Sequence, residues 1–145
     1  KEKYPRFHDS YCSITSVEEF LAFEWLLETA VPLYETSSST HLVTYEDLVT
    51  QGEEEVDRLF KHLEAASASP EALSRLDRPS ATTEAGSNVA QGKDPLLTWK
   101  RRLSSEQIDL ILNLVHRSGI DFYTREVTPR EDRLASWKER FSPAA

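Results

Sequence analysis

Apolar residues recur at helical spacing through most of the chain, and this pattern predicts four helices. Ser16 and Glu19 form a capping box at the start of the first helix, which covers residues 17–31 and ends near Pro32. Because its apolar positions cover more than one face, we expect this helix to be largely buried. A second helix, residues 53–65, carries a single apolar stripe and should bury one face only.

The two C-terminal helices have recognisable start signals. Ser104 and Gln107 form a second capping box, and Gly119 ends the helix that follows them. The last helix opens at residues 128–131 with Pro129 in its first turn. Three apolar residues should face one way on it: Leu134, Trp137 and Phe141.

One short segment, His41 to Tyr45, has the apolar character of a strand and is followed by Glu46 and Asp47. We expect Tyr45 to pack with its hydroxyl group hydrogen-bonded and Asp47 to cap the next turn. Since carboxylates would repel an anionic ligand, these polar residues are interpreted as structural. A lone strand cannot stand by itself, so the segment points to an excerpt of an α/β domain.

Composition narrows the class of protein. The net charge of −8 over 145 residues disfavours general nucleic-acid binding, and no apolar run is long enough to span a membrane. A single cysteine, Cys12, excludes an internal disulfide and makes a reducing, cytoplasmic compartment the default. The sequence contains no methionine, so we expect the chain to be an excerpt or processed product of a longer protein.

Several familiar site motifs are absent from the sequence. Four glycines fit no Walker or dinucleotide pattern, and there is no H-E-x-x-H motif or Cys/His cluster to indicate a metal. A catalytic base is likewise not recognisable.

The long connection at residues 66–95 and the segment after it combine groups that bind phosphate or sulfate. Ser87 offers a hydroxyl, Gly92 permits close backbone approach, and Lys93 supplies positive charge, with Lys100 and Arg101 following. Cations placed just before the Ser104 helix would oppose its dipole by about half a kcal/mol, and a nearby anion would explain their position. The competing interpretation is a solubilising linker followed by a basic helix start.

The ordered series of motifs resembles the C-terminal half of a bacterial-type sulfotransferase over roughly residues 1–123, leaving 124–145 as a helical extension. The matching segments are Tyr45-Glu46-Asp47-Leu48, Leu59-Phe60-Lys61-His62-Leu63, Gly92-Lys93-Asp94-Pro95-Leu96, Trp99, Leu103, Gln107-Ile108 and Gly119-Ile120-Asp121-Phe122-Tyr123. The resemblance implies the helical portion of a P-loop-type three-layer α/β domain with one or two parallel strands.

The same resemblance implies an activity. Such enzymes transfer a sulfuryl group from 3'-phosphoadenosine 5'-phosphosulfate (PAPS) to a hydroxyl or amine of a small-molecule, lipid, glycan or carrier-bound acceptor. Gly92 and Lys93 match the loop that closes over the nucleotide, with Ser87, Lys100 and Arg101 as further binding candidates. The phosphosulfate loop would belong to a missing N-terminal half, so we expect this chain alone to be inactive. The alternative is a non-catalytic helical interaction module that docks a partner through the Trp137 helix.

Overall fold

The computed structural model describes residues 5–35, 40–66, 70–74, 78, 83 and 86–141. Regular secondary structure in these ranges is helical. The helices are α1 (His8–Cys12), α2 (Val17–Glu35), α3 (Tyr45–His62), α4 (Pro70–Leu73), α5 (Thr98–Arg102), α6 (Ser105–Arg117) and α7 (Glu131–Phe141), with 3₁₀ turns at Pro5–Phe7 and Pro95–Leu97. The chain divides into two units, Lys1–Thr40 with Leu103–Ala145, and His41–Arg102.

The predicted α/β architecture is wrong, since the described ranges contain no strand. Thr44 has the extended backbone of a strand (φ −97°, ψ 152°), but residues 41–44 pair with no described segment. A strand gains its stability from ladder hydrogen bonds and cross-strand contacts, and no described segment supplies them here. In place of the expected one or two parallel strands, residues 41–44 form an irregular segment that leads into helix α3.

Helix α3 begins eight residues before its predicted start at residue 53. The Thr44 side chain caps it by accepting a hydrogen bond from the Asp47 N–H at 3.1 Å, so the cap is Thr44 and not Asp47. Tyr45, expected to be packed, is 55% exposed. Non-helical angles at Gln51 (φ −124°, ψ 16°) kink the helix next to Gly52, just before the predicted start at residue 53.

Helix α2 extends past Pro32 to Glu35, beyond its predicted end at residue 31. A proline inside a helix costs about 3 kcal/mol through a lost hydrogen bond and a steric clash. Burial of Leu33 and a 2.6 Å hydrogen bond from the Tyr34 hydroxyl to the Ser118 carbonyl hold this last turn in place. Tertiary contacts thus outweigh the local penalty.

The first unit has its core where α2 packs against α6. Four apolar side chains are completely buried: Leu26, Ala30, Leu114 and Ile120. Trp137 of α7 is 3% exposed and contacts the rings of Tyr34 and Phe122 edge-on. Trp137 is therefore a core residue and not the docking residue that the interaction-module hypothesis assumed.

Both predicted capping boxes of this unit are confirmed. The Ser104 hydroxyl accepts from the Gln107 N–H at 3.2 Å, and the Gln107 side chain accepts from the Ser104 N–H at 2.8 Å. Ser16 and Glu19 exchange the same pair of bonds at the start of α2. Gly119, predicted to end α6, has a left-handed backbone with φ +93°.

The expectation that α2 is largely buried is only partly correct. Val17, Phe20 and Leu21 are 70%, 45% and 57% exposed and lie on one side of its first turns. The opposite side supplies Phe23 and Leu26 to the core. No described helix is both long and apolar enough to cross a membrane.

Candidate functional site

The predicted anion-binding residues Ser87, Gly92 and Lys93 lie in a tight turn of the second unit. The Ser87 hydroxyl accepts a hydrogen bond from the Ala90 N–H at 3.2 Å, and the Lys93 N–H donates to the Asn88 carbonyl at 2.8 Å. The Asn88 side chain donates to the Asp94 carbonyl at 2.7 Å and closes the turn. Local hydrogen bonds thus define the backbone that carries the predicted site.

Gly92 and Lys93 occupy the exposed tip of this turn. Gly92 has φ +63°, which a residue with a side chain rarely adopts, and its position is open to solvent. The Lys93 ammonium group donates to the Gln91 side-chain oxygen at 2.6 Å, and no described carboxylate pairs with it. Its positive charge is therefore not neutralised by the described residues.

Lys100 and Arg101, the other two predicted binding residues, lie on the exposed side of helix α5. The Lys100 ammonium group is 5.4 Å from the centre of the Trp99 ring, a cation–π distance. These cations end α5, where positive charge is favourable, and this offsets part of the predicted electrostatic penalty before the Ser104 helix. Helix α5 was not predicted, because five residues are too few for a periodic pattern.

The five predicted residues thus fall into two groups of the same unit, three in the turn and two on α5. Both groups are polar, and each carries positive charge that could bind an oxyanion. The assignment of these residues to nucleotide binding stays a prediction.

A separate cleft of about 610 Å³ lies in the first unit. Its lining comes from the segment before α2, from the first turn of α2 and from one face of α6: Ser13, Glu19, Leu110, Asn113, His116 and Arg117. This volume is within the range of roughly 300–1,000 Å³ that small-molecule sites have. The sequence offered no motif for this site.

Glu19 is the buried acidic wall of the cleft, with 5% of its surface exposed. Its Oε2 atom accepts hydrogen bonds from the Thr15 N–H, the Thr15 hydroxyl and the Ser16 N–H at 2.9, 2.8 and 3.2 Å. These bonds, led by the one from the Thr15 backbone, lower the pKa of Glu19 and keep it ionised. Its Oε1 atom accepts none from the described residues, so one carboxylate oxygen is left for the cleft.

The α6 wall supplies polar groups that have few partners. Arg117 donates to the Ser13 hydroxyl at 3.3 Å and forms no ion pair with a described carboxylate. The Asn113 amide makes no hydrogen bond to a described residue. His116 Nε2 lies 2.7 Å from the Tyr123 carbonyl, which can only accept, so Nε2 carries the hydrogen and Nδ1 is left for other contacts.

A buried carboxylate in the second unit has a different character. Glu55 is fully buried, 2.8 Å from Arg58 Nη1 and 3.5 Å from His41 Nε2, and the His41 ring is 5.1 Å from that of His62. Within the described ranges, no group of three or more His, Cys, Asp or Glu side chains has the arrangement of a metal site. We therefore interpret Glu55 as a structural charge held by Arg58.

Comparisons with known proteins identify no family. No family model matches the sequence, and neither a curated protein nor a solved structure matches it.

Proposed function

We propose that the chain is part of a PAPS-dependent sulfotransferase and that its second unit binds the nucleotide end of the donor. The proposal is supported by the ordered sulfotransferase-like motifs. Sulfuryl transfer, like phosphoryl transfer, depends on positioning and on cations that neutralise the donor. The residue that would activate the acceptor is not assigned, and the chain alone is expected to be inactive.

The observation that carries this proposal is the ammonium group of Lys93 at the tip of the 87–94 turn. Gln91, a neutral acceptor, holds the ammonium group at 2.6 Å without removing its charge. The adjacent Gly92 has a left-handed backbone and nothing near the place where a Cβ would stand. The Gly92 and Lys93 N–H groups donate within the turn, to the Val89 and Asn88 carbonyls. A phosphate group can approach such a backbone closely and accept a hydrogen bond from the Lys93 ammonium group.

Calorimetric titration with adenosine 3',5'-bisphosphate, which has the phosphate positions of the donor without the sulfuryl group, tests the proposal. We expect Lys93→Glu to weaken binding at least about tenfold, the effect of losing one charge-assisted hydrogen bond. Lys61→Glu on α3 makes the same charge change at an exposed position of the same unit and should alter affinity less than about twofold.

Two outcomes would contradict the assignment. Equal losses of affinity in the two variants would show that the change in net charge, and not the position of Lys93, causes the effect. Equal affinity for inorganic phosphate and for the nucleotide would show a general anion site without nucleotide recognition. Sulfuryl turnover by the chain alone would contradict only the expectation of inactivity.

The second candidate function, a helical interaction module, is favoured by the exposed apolar side of α2. Val17, Phe20 and Leu21 are neighbours on the helix surface, flanked by the exposed Glu24 and Glu28. An amphipathic helix with apolar and basic residues matches this surface.

Titrating a synthetic Leu/Lys amphipathic peptide against the labelled chain tests this second candidate by NMR. We expect resonances of α2 to shift and Leu21→Glu to abolish the effect. Leu63→Glu, at a residue that is 62% exposed in the second unit, is the matched control. Equal loss of binding in both variants would exclude α2 as the docking surface.

A further inference from the structure

We propose that the cleft of the first unit binds a small zwitterion, an α-amino acid with an apolar side chain, between Glu19 and Arg117. This inference does not rest on the proposed sulfotransferase function. It follows from opposite charges that line one solvent-open cleft without forming an ion pair with each other.

Arg117 is unusual among the described arginines of its unit. Arg125, Arg130 and Arg133 are paired with Asp109, Asp132 and Asp121 at 2.5, 2.8 and 3.2 Å, and Arg140 stacks over Trp137 at 4.5 Å. Among the described residues, the partner of Arg117 is the neutral Ser13 hydroxyl, at 3.3 Å. A guanidinium group with a neutral partner retains most of its capacity to bind a carboxylate in a bidentate manner.

The opposite wall is suited to an ammonium group. Glu19 is 5% exposed, and its Oε2 atom is occupied by the Thr15 and Ser16 donors that cap α2. Its Oε1 atom accepts no bond from the described residues, although it belongs to a carboxylate in the cleft lining. A primary ammonium group has three donors and would satisfy this oxygen.

The two walls together select against ligands with one charge. A simple anion attracted to Arg117 is repelled by Glu19, and a simple amine attracted to Glu19 is repelled by Arg117. A ligand that carries both charges gains from both walls. Leu110, 39% exposed, adds an apolar surface, and the exposed Asn113 amide, which bonds to no described residue, can donate to the ligand carboxylate.

NMR titration of the ¹⁵N-labelled full chain with L-leucine tests this site, with leucine amide and N-acetyl-leucine as comparison ligands. Leucine amide lacks the carboxylate and N-acetyl-leucine lacks the ammonium group. We expect leucine to shift the amide resonances of residues 13–19 and 110–117 saturably. Each blocked ligand should bind at least about tenfold more weakly, the effect of one lost charge-assisted contact.

Two variants link the binding to the cleft. Arg117→Gln should weaken leucine binding at least about tenfold, while Arg125→Gln, which makes the same charge change outside the cleft lining, should leave it within about twofold. The role of Glu19 is tested with N-acetyl-leucine, which lacks the ammonium group, and not with a variant. Replacing this cap residue would risk unfolding the start of α2. Equal binding of leucine and N-acetyl-leucine, an unaffected Arg117 variant, or no shift at about 20 mM leucine would each overturn the proposal.

Discussion

Replacing Gly119 with alanine tests how α2 and the end of α6 are joined. Gly119 has φ +93°, and a Cβ atom there would lie 2.6 Å from the Tyr34 hydroxyl oxygen. That hydroxyl donates a 2.6 Å hydrogen bond to the Ser118 carbonyl, and the Tyr34 ring packs edge-on against Trp137. The tyrosine therefore has little room to move aside.

The expected cost of Gly119→Ala has two parts. A left-handed backbone is strained by about 1–2 kcal/mol in a residue with a Cβ. Displacing the Tyr34 hydroxyl loses a hydrogen bond worth about 1 kcal/mol, and the burial of its partner carbonyl can add to this. We expect the free energy of unfolding to fall by about 2–3 kcal/mol.

Chemical denaturation of four proteins separates these parts: wild type, Gly119→Ala, Tyr34→Phe and the double variant. Tyr34→Phe alone should cost about 1 kcal/mol, and it removes the oxygen that the new Cβ would meet. The double variant should therefore be more stable than the sum of the single losses by about 1 kcal/mol. Additive losses, or a loss below about 0.5 kcal/mol for Gly119→Ala, would refute the steric argument.

Four further substitutions test separate features of the fold by the free energy of unfolding. Arg58→Ala leaves the fully buried Glu55 carboxylate without its 2.8 Å partner and should cost about 2 kcal/mol; no loss would show that Glu55 is not charged. Trp137→Ala removes a side chain that is 3% exposed and should cost about 3–5 kcal/mol, and a loss below about 1 kcal/mol would mean that it is not a core residue. Hydrogen bonds from the preceding loop lower the pKa of Glu19, so the ionised carboxylate stabilises the fold above about pH 4.5. This stabilisation is lost as the pH falls through the lowered pKa, and Glu19→Gln should therefore lose less stability in acid than the wild type. Burial raises the pKa of Glu46, so the wild type loses stability as the pH rises through the raised pKa. Glu46→Gln should therefore be more stable than the wild type at pH 7 by roughly a few tenths of a kcal/mol, but not at pH 4.

The starts of α2 and α6 could be predicted because their signals are local. A capping box needs two residues three positions apart, and Ser16 with Glu19 and Ser104 with Gln107 form the expected bonds. The end of α2 could not be predicted in this way. It depends on the Tyr34 hydroxyl bonding to Ser118, 84 positions later in the chain.

The strand prediction failed for a related reason. A short apolar run such as His41–Tyr45 has the same periodicity whether it pairs in a sheet or leads into a helix. The deciding factor is a partner strand, and the described residues provide none. With no ladder to join, Tyr45 instead starts a helix that Thr44 caps.

The two candidate sites also differ in how well they could be predicted from the sequence. Ser87, Gly92 and Lys93 are close together in the chain, so their shared chemistry can be recognised from the order of residues. The cleft joins Ser13 and Glu19 to Arg117 across about a hundred positions, and neither segment has a ligand-binding motif. In the sequence alone, Arg117 is an ordinary cation in the last turn of a helix, where the dipole explains it. Only the folded chain shows that it lines a cleft with an ionised carboxylate and pairs with no described acidic residue, which makes it a binding residue to test.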